Sequence, residues 1–134
     1  MTPKDLMAAA EKARRMAYAP FSKFRVGAAL LTRSGKVVTG CNVENSSYGL
    51  ACCAERTAIF KAVSEGEQEF AAIAVTAGRQ AAGSAPCGAC RQVMFEFAPE
   101  MPVYYLDAKG GIRKRKVSAL LPDGFRLRPR KGTR

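Results

Sequence analysis

The sequence predicts an α/β fold, a three-layer sandwich built on a mixed five-stranded sheet. Three observations carry this. Apolar stripes at helical spacing alternate with short β-rich runs. The run from Phe70 to Thr76 is almost wholly apolar, as a strand covered on both faces must be. Proline and glycine stand where one periodicity gives way to the next.

The elements follow in order. Thr2-Pro3-Lys4-Asp5 reads as a helix start, with Thr2 as N-cap, Pro3 as first helical residue and Asp5 as the acid of a capping box. Leu6, Ala10, Ala13 and Ala17 make one apolar stripe, and Pro20 ends that helix. Val26 to Leu31 and Lys36 to Cys41 are expected as strands around a turn at Ser34-Gly35. Ala54 to Val63 is a second helix, and Phe70 to Thr76 a central strand. A Gly/Ala/Ser loop over 77–85 runs into Pro86. A third helix spans Gly88 to Phe97 and is closed by Pro99. Pro102 to Leu106 is a strand, and Asp107 to Gly111 turns the chain. Ile112 to Val117 is so charged that it belongs at a sheet edge. Ser118 to Leu121 adds a helical turn. The expected organisation is one domain over 1–125 followed by a basic tail over 126–134.

The 134 residues suffice for one core, and 48% apolar with 25% charged residues is ordinary globular composition. No apolar run approaches the ~18 residues of a membrane span. Charged Glu11, Lys12, Arg14 and Arg15 stand where a signal peptide would be apolar, so a cytoplasmic protein is expected. An odd count of five cysteines fits metal or catalysis better than a disulfide framework. Histidine is absent, which excludes His-based triads, bases and metal ligands. The net charge of +11 gathers at Arg113 to Lys116 and in the tail. Such an excess is the footprint of polyanion binding. No aromatic residues interleave the tail to stack bases, however, so a solvated basic surface is the better reading and nucleic acid is not expected as a partner.

Two short segments carry the chemistry: Cys53-Ala54-Glu55 and Pro86-Cys87-Gly88-Ala89-Cys90. Three thiolates on zinc leave a fourth position open for water, the mark of a catalytic rather than a closed site. Both segments fall where the chain enters a helix, whose free N–H groups favour anionic sulfur. Cys87 and Cys90 form the strongest pair. The third ligand comes from Cys41, Cys52 or Cys53, and the adjacent Cys52 and Cys53 do not both suit one ion. We assign Cys53, with Glu55 beside the water and Cys41 and Cys52 as packed free thiols. Cys53 and Glu55 reach one ion only if it lies near the helix axis, beyond the first turn. Arg56 and Arg91 each follow the constellation directly, and either could donate to a ligand sulfur. The competing reading is a structural four-cysteine zinc site, which needs no carboxylate.

The segments Cys53-Ala54-Glu55-Arg56-Thr57-Ala58 and Pro86-Cys87-Gly88-Ala89-Cys90-Arg91-Gln92 closely resemble the small homotetrameric zinc cytidine deaminases. The resemblance extends through Ala19-Pro20-Phe21-Ser22-Lys23-Phe24, Val26-Gly27-Ala28-Ala29-Leu30, Gly40-Cys41-Asn42-Val43-Glu44-Asn45 and Leu120-Leu121-Pro122-Asp123-Gly124-Phe125. It implies one Zn²⁺ per subunit on Cys53, Cys87 and Cys90. It implies Glu55 as the proton shuttle between water, pyrimidine N3 and the departing amine. It implies Asn42 and Glu44 on the ribose 3′-hydroxyl, Phe24 as a wall of the base pocket, and Ala54 in the substrate-binding set. Phe125 resembles an aromatic lent to a neighbouring subunit's site, and Ser46 and Tyr48 lie in the loop lining the subunit contact. Arg56 resembles a donor that offsets thiolate charge. Ala85 departs from the pattern, in which Ser or Thr is frequent.

The implied activity is zinc-dependent hydrolytic deamination of cytidine and deoxycytidine to uridine and deoxyuridine, as in pyrimidine salvage. The alternatives are a deaminase of a cytosine-containing antibiotic nucleoside and a nucleic-acid-editing deaminase. A clamp on a free 3′-hydroxyl argues against the latter, because an internal nucleotide has none.

Overall fold

A computed structural model describes residues 1–81 and 83–127. Helix α1 spans Pro3–Arg14, strands β1 and β2 span Gly27–Thr32 and Val37–Cys41, and helix α2 spans Ala54–Ser64. Strand β3 (Phe70–Thr76), helix α3 (Gly88–Phe97), strands β4 (Pro102–Leu106) and β5 (Ile112–Lys116) and the short helix α4 (Val117–Leu120) follow. The strands form one sheet in the order β2-β1-β3-β4-β5. β3 and β4 pair in parallel, and the other neighbours pair antiparallel, so the sheet is mixed and five-stranded as expected. The tail from residue 128 onward lies outside the described residues.

Alternation along the strands sends successive side chains to opposite faces. Ala29, Ala72 and Ala74 meet Leu6, Met7 and Ala10 of α1 on one side. Ala28, Leu30, Ile73, Val75 and Val103 meet Ala58, Ile59, Ala62, Cys90 and Met94 of α2 and α3 on the other. Leu30, Ile59 and Ile73 are wholly buried, and each contributes about 2 kcal/mol of transfer free energy. The small alanines on the α1 side let that helix lie close to the sheet.

The capping box forms as read: the Asp5 amide donates to the Thr2 hydroxyl at 3.1 Å, and the Thr2 amide to the Asp5 carboxylate at 3.0 Å. The helix itself stops earlier than its apolar stripe suggests. It ends at Arg14 rather than at Pro20, and Ala17 is buried outside it. The reason is tertiary. The Tyr18 amide donates to the Asn42 carbonyl and the Glu44 amide to the Tyr18 carbonyl, which draws the chain out of the helix. β5 is exposed at all five positions and forms the sheet edge, where its charges discourage pairing with another chain. Val117, expected as its last residue, is instead wholly buried as the first residue of α4.

Gly40 sets how closely α2 approaches β2. A Cβ there would lie 2.5 Å from the Ala58 amide nitrogen and 2.7 Å from the Ala54 carbonyl oxygen, both backbone atoms that cannot turn aside. Gly40→Ala is therefore expected to destabilise the fold by about 2 kcal/mol or more. Denaturant titration measures this; a midpoint equal to that of the parent protein would show that α2 does not depend on this contact.

Candidate active site

The site is built where two helices begin. Cys53 is the N-cap of α2 and Cys87 the N-cap of α3, both in extended backbone with φ −73° and −69°. Neither side chain bonds its own helix's N–H groups. Cys90 lies in the first turn of α3 and is wholly buried. The three sulfurs stand within 4.8 Å of one another. Cys53 and Cys87 Sγ are 3.7 Å apart, and Cys87 and Cys90 Sγ 3.5 Å. Tetrahedral thiolates at a Zn–S distance of ~2.3 Å stand about 3.8 Å apart, so both of these separations are ones at which the cluster could hold a single ion. An all-thiolate donor set is soft, which suits zinc. Cys41 and Cys52 are outside this cluster, so the described residues form a three-thiolate, open site.

Cys53, the N-cap of α2, and Glu55, in its first turn, line the same cavity. Glu55 is 3% exposed. Burial, the largest influence on it, raises its pKa above the usual carboxylate range, and the neighbouring Cys53 thiolate adds to the rise. Cys53 is depressed to about 5. A hydrogen bond from Cys90 is the largest cause, and the Arg56 guanidinium and the Cys87 thiol assist against burial. Cys90 moves upward, because its own proton is held in the hydrogen bond to the Cys53 sulfur and because it is buried. Arg56 donates from Nη2 to Cys53 Sγ at 3.3 Å, and the thiolate holds the guanidinium firmly protonated. Its Nε is buried without a hydrogen-bond partner among the described residues, so thiolate charge, not a full set of hydrogen bonds, keeps the group in place.

A cavity of 260 Å³ opens onto these groups. It is lined by Phe24, Val26, Asn42, Glu44, Ala51, Cys52, Val75, Ala77, Ser84 and Ala85, together with Cys53, Cys87 and Glu55. Asn42 holds the loop before β1: its Oδ1 accepts from the Val26 amide at 2.7 Å, and its Nδ2 donates to the Phe24 carbonyl at 2.8 Å. Glu44 Oε1 accepts from the Phe21 and Ser22 amides at 3.0 and 3.2 Å, and Oε2 from the Ser22 hydroxyl. The Ser22 bond, the largest influence, holds the Glu44 carboxyl below its usual range, so it is anionic at neutral pH.

The sequence-derived residues divide accordingly. Phe24, Asn42, Glu44, Cys53, Glu55 and Cys87 share the cavity, with Cys90 and Arg56 directly behind it. Ala54 is wholly buried as the first residue of α2, so no side chain from it reaches the cavity. Tyr48 is 80% exposed and lines a neighbouring depression with Phe21 and Ser22, which shares Glu44 and Ala51 with the cavity. Phe125 is 67% exposed and lies outside the cavity lining. Two expectations change. Cys52 is not packed away but faces the cavity. Arg91 donates to backbone carbonyls and not to a ligand sulfur. The small wall residues Ala51, Ala77 and Ser84 escaped sequence reasoning, since an alanine or serine in a loop carries no chemical signal.

Comparison with known proteins agrees with this geometry. Residues 1–106 match the family model for the cytidine and deoxycytidylate deaminase zinc-binding region. A cytidine deaminase of Sporosarcina psychrophila is 52% identical over 126 residues, 93% of this chain and 92% of that protein. The crystal structure of a cytidine deaminase from Burkholderia pseudomallei superposes with a TM-score of 0.87 at 54% identity, over 93% of this chain and 100% of the other. A blasticidin-S deaminase of Bacillus cereus is more distant, at 30% identity over 108 residues, 75% of this chain and 76% of that protein.

Since the cluster ties the starts of α2 and α3 together, Cys87→Ala is expected to lose bound zinc and thermal stability at once. Elemental analysis with a melting curve tests this. Stoichiometric zinc in the variant would show that Cys87 is not a ligand.

Proposed function

The chain belongs to the cytidine and deoxycytidylate deaminase zinc-binding family, and from that membership we propose that it deaminates cytidine and deoxycytidine with water, releasing ammonia and leaving uridine and deoxyuridine. The observation that carries this reading is a buried carboxylate, Glu55, that lines a small cavity together with Cys53 and Cys87, two members of a three-thiol cluster completed by the buried Cys90.

Cys53, Cys87 and Cys90 would hold the zinc. When bound, the ion lowers the pKa of water to around 7 and so makes a nucleophile available at neutral pH. Glu55 acts as the proton carrier. It takes one proton from the attacking water and delivers it to N3 of the pyrimidine as the water oxygen bonds C4. It then takes the second proton, from the hydroxyl now on C4, and passes it to the amino nitrogen as the C4–N bond breaks, which leaves the C4 carbonyl and ammonia. A raised pKa suits a carboxylate that must hold a proton at each stage, and its burial keeps bulk water from competing. Arg56 offsets the thiolate charge.

Phe24 walls the base. Asn42 and Glu44 receive the sugar hydroxyls, using the second Nδ2 hydrogen and the remaining carboxylate lone pairs that the loop contacts leave free. The anionic Glu44 also repels phosphate, which favours a free nucleoside over a nucleotide or a polymer.

The working form is proposed to be a homotetramer in which exposed Phe125 and Tyr48 complete the site of a neighbouring subunit. No helix among the described residues is long and apolar enough to cross a membrane. Thiol ligation suits a reducing compartment, and the cytoplasm is the proposed location.

Glu55→Gln is expected to keep zinc and fold while losing roughly four orders of magnitude in kcat. Ammonia release from cytidine, deoxycytidine, cytosine, CMP and single-stranded DNA identifies the substrate class; turnover of DNA but not of nucleosides would refute the reading. Phe125→Ala should raise KM about tenfold, the worth of ~1.4 kcal/mol of aromatic contact. A fully active monomer would exclude the cross-subunit role.

A further inference from the structure

The segment after α4 is fastened along α3, and its first fastening also grips the metal loop. Arg91 donates from Nε to the Pro86 carbonyl at 2.7 Å and from Nη1 to the Leu120 carbonyl at 2.9 Å. Gln92 Nε2 donates to the Phe125 carbonyl at 2.9 Å, and Arg126 Nη1 to the Glu96 carbonyl at 3.0 Å. Gly124 lies against Phe95, whose ring a Cβ there would meet at 2.7 Å. Asp123 adopts a left-handed φ of 55° to make that approach. Among the described residues Arg91 makes no ion pair, so it is not a surface charge partner.

A guanidinium is a rigid planar fork, and it cannot follow two carbonyls that move independently. The Pro86 carbonyl is joined to the Cys87 nitrogen by one planar peptide bond. Fixing Cys87 therefore fixes Pro86, and through Arg91 it fixes Leu120, where the segment bearing Phe125 begins. We propose that Arg91 is a positioning residue that couples metal occupancy at Cys87 to the order of residues 121–125. The inference rests on the reading of Cys87 as a zinc ligand. It makes α3 a strut with the metal at its start and the outward-facing Phe125 along its side.

Hydrogen exchange of the zinc-loaded and chelator-stripped full chain tests this, with zinc stoichiometry measured first. The Leu121 and Gly124 amides, bonded to the Val117 and Leu121 carbonyls, are expected to exchange about tenfold faster after stripping, while β1 amides keep their rate. In Arg91→Lys a single ammonium cannot hold both carbonyls in the same way, so the segment should exchange fast with or without zinc. In Gln92→Ala, which cuts only the Phe125 carbonyl contact, the response to zinc should persist. A segment indifferent to stripping in the unaltered protein overturns the coupling, and so does an Arg91→Lys variant that responds normally. Failure to bind zinc at all overturns the metal reading and the coupling with it. If Arg91→Lys does not fold, the unaltered protein alone decides.

Discussion

Three sulfurs gather within 4.8 Å of one another, and the rest of the architecture is arranged around that convergence. Two of them, Cys53 and Cys87, cap helices, so the starts of α2 and α3 have to converge. Convergence requires both helices on the same face of the sheet, which leaves α1 to cover the other. It also requires α2 to sit hard against β2, and Gly40 permits this by having no Cβ. The same convergence answers the charge problem. Three thiolates on a divalent ion carry an excess negative charge. Two helix N-termini and Arg56 surround them with positive potential. The opposite shifts of Cys53 and Cys90 express one balance: the Cys90 hydrogen bond, with Arg56 assisting, favours the Cys53 thiolate, and the Cys90 thiol that makes this bond is held protonated.

A second economy lies at the cavity's mouth. Asn42 and Glu44 follow β2, yet their side chains bind the loop of residues 21–26. Ser22 links the two ends of this arrangement: its hydroxyl bonds Glu44 and accepts the Phe24 amide at 3.0 Å. Lys23 takes φ 62° between them, a conformation that costs a non-glycine residue on the order of 1 kcal/mol. The hydrogen bonds around it offset that cost. The wall formed by Phe24 and the polar groups opposite the metal are therefore fixed relative to each other before any ligand enters, which lowers the entropy lost on binding.

Much of this was legible in the sequence, because the information is local. The capping box needs only Thr2, Pro3 and Asp5. α3 keeps its expected bounds because Cys87 and Pro99 flank an uninterrupted helical pattern. Spacing singled out Cys87 and Cys90 and left the third thiol among Cys41, Cys52 and Cys53; the family resemblance pointed to Cys53 and Glu55, and the structure groups Cys53 with the pair. What was not legible depends on partners distant in the chain. Ala17 continues the α1 stripe by spacing, but Tyr18 leaves the helix to pair with residues near Val43. Arg91 looked like a metal-site donor by adjacency, whereas its true acceptors are carbonyls, one of them 29 positions away. A backbone carbonyl has no signature in a sequence. Cys52 was read as packed by its place next to a ligand, and only the loop's path shows that it faces the cavity.

The exposed aromatics are what the proposed assembly would use. Phe125 is tethered through its carbonyl to Gln92 on α3 and held outward at 67% exposure. Tyr48 and Leu50 stand in the loop just before Cys53, at 80% and 70% exposure, and Tyr48 stacks at a tilt on Phe21 6.4 Å away. Exposed apolar groups are costly to leave in water, and where they gather they are typical of an association surface. A rigid tether makes little sense for a residue meant to fold back into its own core. It makes sense for one that must be offered at a defined place to another chain. The assembly proposed above would bury these rings against the mouth of a neighbouring cavity, and the site would then be closed by the same α3 that begins it.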